Sequence, residues 1–528
     1  MPLCHGLPLE EATIDEVQHW LSTGKLTSRD IVKCYEDRMH VVDGHLGAVM
    51  EFNPDAYKIA DELDAERARG IVRGPMHGIP VFVKDNIATK DKMQTTAGSL
   101  ALVGSIAPRD AHVVALLRKA GAIIMGHTNL SEWADMRSTS YSEGYSSRRG
   151  QCRNSFNLTQ EPGGSSSGSG HAVSANLIMV AYGTETDGSV ISPGERASVI
   201  GIKPTVGLTS RAGVIPESTN QDTVGAFGRT FKDAVYALET IVGIDDRDTA
   251  TFAQEGRSHK NYTQFLSNTR ALKGAKFGLP WKNLWDQPSA AGQLPALLDA
   301  LKVLKAAGAI IYNNTDYKYQ SEIVSSDGWN WDYEQANKSE FTVVKVDFYN
   351  NVNAYLKELT NTTMKNLGDI IAFDDAMTAV EGGIPGTAPA FASGQDGLLD
   401  SFATGGVEDE TYKAALAWGH KSTRELGIDY ALKHGHNDFF LDALLIPSDD
   451  SGPGTEAPAR AGYPIITVPI SVDEWSVPFG LSIVSTAFSE PTLIKYGSAI
   501  DDALGKRRVK PTFHDFDAIN IPVDFGPS

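Results

Sequence analysis

Two short stretches hold most of the chemistry open to this chain. "PGGSSSGSG" (162–170) and "GTETDGS" (183–189) both set serines among glycines, and they bracket an apolar, helix-like run, "HAVSANLIMVAY". By composition the first resembles a flexible linker. A linker has polar, featureless flanks, whereas these flanks are apolar and lead into the second glycine turn. Glycines at such turns permit positive φ and close backbone approach, so amide N–H groups can converge on one point. Converging amides beside a serine hydroxyl are what a tetrahedral oxyanion requires.

Bringing two distant turns together needs a scaffold, and the first hundred residues supply its signals. Thr13 and Glu16 stand at capping-box spacing ahead of one helix. A second helix follows Thr27 and Ser28, with Ile31, Tyr35, Met39 and Val42 on one face and Cys34 as a packed small hydrophobe. Val81–Val83 reads as a buried strand running into a polar turn. "DAHVVALLRKAGAIIMG" reads as a helix capped by Asp110 and ended by Gly121, then a short apolar strand. This alternation predicts a largely parallel sheet with helices on its faces. Residues 325–410 differ, with dense aromatics and a Gly/Pro-rich stretch, and the end returns to α/β character. With no internal repeat and no long linker, residues 1–528 are expected to form one domain, with 320–410 as a variable layer covering the substrate pocket.

Composition narrows the class. Hydrophobic residues make up 41% of the 528 and charged residues 21%, as in a folded globular protein. A net charge of −19 argues against nonspecific nucleic-acid binding. The start carries no basic-then-apolar leader, and no apolar run has membrane-spanning length, so a cytoplasmic protein without membrane or nucleic-acid partners is expected. The three cysteines, Cys4, Cys34 and Cys152, are odd in number and widely spaced; this suits a reducing compartment and excludes a disulfide framework.

The glycine–serine turns belong to a longer ordered series: "GPMHGIPVFVKDNI" (74–87), "GHTNLSEWADMRS" (126–138), "PGGSSSGSG", "GTETDGS", "GIKPTVGLTSR" (201–211), "QDTVGAFGRT" (221–230), "DALLIPS" (442–448), "AGYPIITVPI" (461–470) and "VPFGLSIV" (477–484). In wording and order these blocks resemble the amidase signature family over roughly residues 10–510, most closely its fungal amidases. The resemblance implies a single large α/β fold, a central twisted mixed sheet covered by helices on both faces. It also implies a Ser–cis-Ser–Lys triad. The lysine of "VKDN" is Lys84, the first serine of "GGSS" is Ser165 after a cis peptide, and the serine of "DGS" is the nucleophile Ser189. Ser165 and Ser189 lie 24 residues apart, the family's spacing. The backbone of Thr186, Asp187, Gly188 and Ser189 is implied as the oxyanion hole. No cofactor and no metal are implied, and a monomer or homodimer is expected.

Physical chemistry supports the unusual base. A free lysine, with a pKa of about 10.4, is protonated and useless as a base at neutral pH. Desolvation at the end of "VFV" disfavours the cation and lowers that pKa. Neutral Lys84 could then draw a proton from Ser165, which draws one from Ser189.

Neighbouring features have blander readings. Ser166, Ser167 and Ser169 stay open between supporting hydrogen bonds and turn formation. Asp187 invites a Ser–His–Asp reading, but His77 and His171 read as structural histidines. His434 and His436 lack a third metal ligand nearby. Most of Trp329, Trp331, Tyr333, Phe341 and Phe348 are expected to pack a helix layer. Ile191 stands where many relatives carry Arg, His127 where many carry Lys, and "SPGERAS" where bacterial relatives read Cys-Pro-Ala-Ser; none of these touches the triad. The expected activity is hydrolysis of a small carboxamide or anilide. The alternatives are a glutaminase subunit of a tRNA-dependent amidotransferase and a silent binding module of amidase fold.

Overall fold

The computed structural model describes residues 3–286, 292–318, 335–448 and 453–511. Trp329, Trp331 and Tyr333 lie outside the described residues.

Both capping boxes form. Thr13 Oγ1 accepts from the Glu16 amide at 3.2 Å while the Glu16 carboxylate accepts from the Thr13 amide at 2.9 Å, opening the helix Ile14–Ser22. Thr27 and Asp30 repeat the device ahead of Ser28–Leu46, whose buried face carries Ile31, Tyr35, Met39 and Val42. Asp110 does not cap His112–Lys119, whose N-cap is Ala111 with no side-chain bond. Its carboxylate instead accepts from the Lys90 amide at 2.6 Å and pairs with Arg118. A tertiary partner outcompetes the local cap.

The cysteine expectation is corrected too. Cys4 and Cys34 are joined by a disulfide with Cα atoms 5.8 Å apart, and Cys152 alone is free and buried. The two are 30 residues apart, and only the turn Cys4–Leu7, which folds the N-terminal segment over the Ser28–Leu46 helix, brings them together.

Eleven strands form one sheet, in the order Val49–Phe52, Ile123–Thr128, Pro80–Lys84, Val180–Glu185, Thr223–Gly228, Ile200–Lys203, Ile465–Val472, Pro478–Val484, Ala443–Ser448, Lys276–Gly278 and Ile310–Tyr312. The sheet is mixed, and the largely parallel arrangement predicted from the first hundred residues holds only locally. Pro80–Lys84 runs parallel to both of its neighbours, and Lys276–Gly278 does the same at the far edge. The strands between are antiparallel. All six residues of Val180–Glu185 are buried, so helices cover this strand on both faces; Ser167–Ser174 and Phe231–Ile241 both pack against it. Burial on both faces explains its near-continuous apolar sequence.

Helices Glu340–Glu358, Leu367–Ala376, Asp396–Ala403 and Glu410–Thr423 build a layer with its own apolar cluster. Phe341, Val344, Phe348 and Val352 pack there against Leu130, Trp133 and Met136, with Trp133 edge-on to Phe348 at 6.3 Å. Phe341 and Phe348 thus pack as expected. Buried Arg137 ties this layer to the loop after Ile123–Thr128: its guanidinium meets Glu132 at 2.9 Å, Asp374 at 2.5 Å and Glu381 at 3.4 Å.

Candidate active site

Lys84 is the last residue of the central strand Pro80–Lys84 and is fully buried. Its Nζ lies 2.7 Å from Ser165 Oγ, 3.0 Å from Thr184 Oγ1 and 3.4 Å from the Thr184 carbonyl. Ser165 Oγ in turn donates to Ser189 Oγ at 3.0 Å. Three groups drawn from a strand end and two glycine turns are thereby joined in one chain of hydrogen bonds. Burial lowers the Lys84 pKa to about 8, against the pull of Glu217, Asp135, Glu143 and Glu185. A neutral lysine has two N–H bonds and one lone pair. If both N–H groups face the Thr184 oxygens, the lone pair is left for Ser165.

The linker-like stretch is buried throughout. The Gly164–Ser165 peptide is cis. The Ser165 carbonyl accepts from the Ser131 amide at 3.1 Å, and the Ser166 amide donates to the Ser189 carbonyl at 3.2 Å. Gly164 is required by close approach, since a Cβ there would fall 1.7 Å from Glu143 Oε2 and 2.6 Å from Ser131 Oγ. The three undecided serines all make supporting bonds. Ser166 Oγ donates to the Thr184 carbonyl at 3.0 Å, Ser167 Oγ to the Gly163 carbonyl at 2.6 Å, and Ser169 Oγ to the Tyr182 carbonyl at 3.0 Å.

The turn Thr186–Ser189 leaves the end of Val180–Glu185, and Gly188 takes φ +74°, a left-handed conformation that suits glycine. The Glu185 side chain curls under it, accepting from the Val190 amide at 2.7 Å and the Ile191 amide at 3.0 Å, with the Gly188 amide also directed at it. Thr186 Oγ1 donates to Asp222 at 2.7 Å. Among the described residues the amides of Thr186, Asp187 and Ser189 have no acceptor, which leaves them open to a ligand oxygen.

The histidines take no part in this chain. His171 meets the Pro162 carbonyl at 2.9 Å and Ser155 Oγ at 3.0 Å, and burial lowers its pKa to about 4. His77 bonds the Leu63 carbonyl at 3.1 Å. His127 lies 2.9 Å from Asp85. Burial works against the Asp85 charge, yet Arg148, His127 and Thr96 together hold its pKa below the usual carboxylate range. His434 and His436 both stack on Phe440, and among the described residues no cluster of potential metal ligands is present.

Several site residues carry no sequence signal of their own. Thr184 and Asn86 stand inside quoted blocks, and Asn86 Nδ2 donates to Thr184 Oγ1 at 2.9 Å beside Lys84. Asp135, Glu217 and Glu340 line the small chamber over Ser189 together with Thr186 and Asp187. Asp135 also opens onto a neighbouring cleft of about 480 Å³ lined by Tyr141, Phe341, Lys345, Asp396 and Asp400. Acidic residues so far apart in sequence carry no local signal of convergence.

An α/β sheet that holds a buried lysine and two hydrogen-bonded serines beside a small chamber has the make-up of a hydrolase. Residues 30–373 match the family model described as amidase, and the chain belongs to the amidase signature family of enzymes that hydrolyse amides. It is similar to a Schizosaccharomyces pombe protein named as a putative amidase, at 53% identity across 99% of this chain and 90% of that one. Its fold is similar to the crystal structure of the peptide amidase of Stenotrophomonas maltophilia, with a TM-score of 0.85 and 38% identity over 96% of this chain and 99% of that one. A glutamyl-tRNA(Gln) amidotransferase component from Carboxydothermus hydrogenoformans is 36% identical over 56% of this chain and 59% of its own length. Among the described residues no helix is long and apolar enough to cross a membrane.

Proposed function

We propose that this chain is a stand-alone amidase that hydrolyses the C–N bond of a small carboxamide or anilide through a Ser189 acyl-enzyme. The unbroken hydrogen-bond chain Lys84–Ser165–Ser189 in buried surroundings carries the proposal. Ser189 Oγ attacks the carbonyl carbon as its proton passes to Ser165 and the Ser165 proton passes to Lys84 Nζ. The oxyanion forms against the backbone of Thr186–Ser189. As the C–N bond breaks, the Lys84 ammonium returns its proton through Ser165 to the departing nitrogen, and amine or ammonia leaves. Water then attacks the ester along the same relay, releasing carboxylate and restoring Ser189. The whole chain acts as one amidase domain with the helices after residue 340 covering the pocket.

The reading as a glutaminase subunit draws on the partial similarity to the amidotransferase component. It is the weaker reading, because the likeness to the peptide amidase extends over nearly the full length of both chains. The test is a panel of anilides and primary carboxamides offered to the purified chain alone, with aniline or ammonia release as the readout. Turnover without partner subunits, metal or nucleotide is expected. No turnover on any member, with tight binding of another protein, would favour the silent-module alternative.

A further inference from the structure

The chamber beside Ser189 contains more carboxyl groups than hydrolysis requires. Asp135, Asp187, Glu217 and Glu340 all line it. Their surroundings differ. Glu340 accepts from Gln221 Nε2 at 2.5 Å and feels Arg460; Glu217 is eased by Thr186. Asp187 is 6% exposed, and among the described residues neither of its carboxyl oxygens reaches hydrogen-bond geometry with a partner. Asp135 Oδ1 is likewise buried without a partner. Burial, then Glu340 and Glu456, push the Asp187 carboxyl well above the usual range, with the nearby Thr455 hydroxyl easing it in part. Lys84 cannot serve as the missing counter-charge and also act as a base.

A desolvated carboxyl without a partner is unfavourable until a donor or a cation reaches it. Protonation relieves one acid at a time, whereas a single cation in the chamber attracts all of them at once. The adjoining cleft has the same bias, with Asp135, Asp396 and Asp400 facing one cation, Lys345. We propose that the chamber binds a protonated amine carried by the substrate, so that Asp187, backed by Glu340 and Glu217, selects amides with an ammonium group close to the scissile carbonyl. This inference rests on the amide-hydrolase reading above and narrows its substrate class.

The test compares the 4-nitroanilides of alanine and lactic acid, which differ in an ammonium against a hydroxyl, on the full chain and on Asp187→Asn and Glu340→Gln. Calorimetry with benzylammonium and benzyl alcohol measures binding without turnover. The wild type should favour the alanine anilide at least about tenfold in kcat/KM, and each variant should reduce that ratio to within about twofold, whatever its absolute rate. Equal kcat/KM for the two anilides in the wild type, or an undiminished ratio in Asp187→Asn, overturns the inference and leaves the hydrolase reading intact. If a variant does not fold, tighter wild-type binding of benzylammonium than of benzyl alcohol supports the cation site, and equal binding overturns it. No hydrolysis of either anilide alongside selective benzylammonium binding supports the cation site and counts against the hydrolase reading; no hydrolysis and no selective binding overturns both.

Discussion

Ser166 and Thr184 clasp each other: the Thr184 amide donates to Ser166 Oγ at 3.2 Å, and Ser166 Oγ donates back to the Thr184 carbonyl at 3.0 Å. Thr184 Oγ1 meanwhile accepts from Lys84 at 3.0 Å and from Asn86 at 2.9 Å. The glycine–serine stretch is therefore pinned to the strand that orients the lysine. Its composition is that of a linker, and its structure is that of a buried, fully bonded turn.

Thr184→Val should disturb the base without removing it. An acceptor stabilises the lysine ammonium more than the neutral amine, so its loss lowers the Lys84 pKa further. The acid limb of the pH–rate profile should move to lower pH, and kcat should fall about tenfold or more as the amine loses its orientation. A merely structural Thr184 would leave the limb in place, and steady-state kinetics across pH separates the two.

The wild-type profile itself follows from burial of Lys84. With a pKa of about 8, the lysine is mostly ammonium below that pH and cannot accept a proton. The acid limb of kcat/KM should therefore rise through about pH 8 and level off above it. Bell-shaped behaviour centred near pH 4 would be incompatible with a lysine base.

Lys84→Met should abolish turnover, by on the order of 10³-fold or more, while thermal unfolding stays at or above the wild-type temperature. The depressed lysine pKa means that the unfolded chain binds the extra proton between about pH 8 and the ordinary lysine value. The lysine's contribution is thus least favourable below about pH 8 and recovers as pH rises, so any stabilisation by Met should be largest at neutral pH. Calorimetric scans at pH 7 and pH 10 would show the sign.

Arg137→Met should have the opposite character. It leaves Glu132, Asp374 and Glu381 buried together without their cation. Breaking such a cluster costs about 3–5 kcal/mol, so the denaturant midpoint should fall clearly. An unchanged midpoint would mean that the covering layer does not depend on this link.

Much of this was legible in the sequence because it is local. The Thr13–Glu16 and Thr27–Asp30 spacings each specify a helix start within four residues, and the apolar Val81–Val83 run specifies a buried strand. Lys84, Ser165 and Ser189 stand in blocks whose order survives any rearrangement of the sheet. Pairing across the sheet was not legible, since parallel and antiparallel neighbours can share one apolar pattern. Asp110 shows a cap signal overridden by Arg118, and Cys34 shows a bond made by a segment thirty residues away. The chamber acids Asp135, Glu217 and Glu340 come from three remote segments and meet only in the folded chain.

The central claim is that Ser189 is activated through Ser165 by Lys84. The most direct measurement is labelling of the full chain with a fluorophosphonate, followed by peptide mapping of the modified serine as a function of pH. The account predicts modification of Ser189 alone, at a rate that rises through about pH 8 and is lost in both Lys84→Met and Ser165→Ala. Labelling of a different serine, or of Ser189 at a rate indifferent to Lys84→Met, would contradict it.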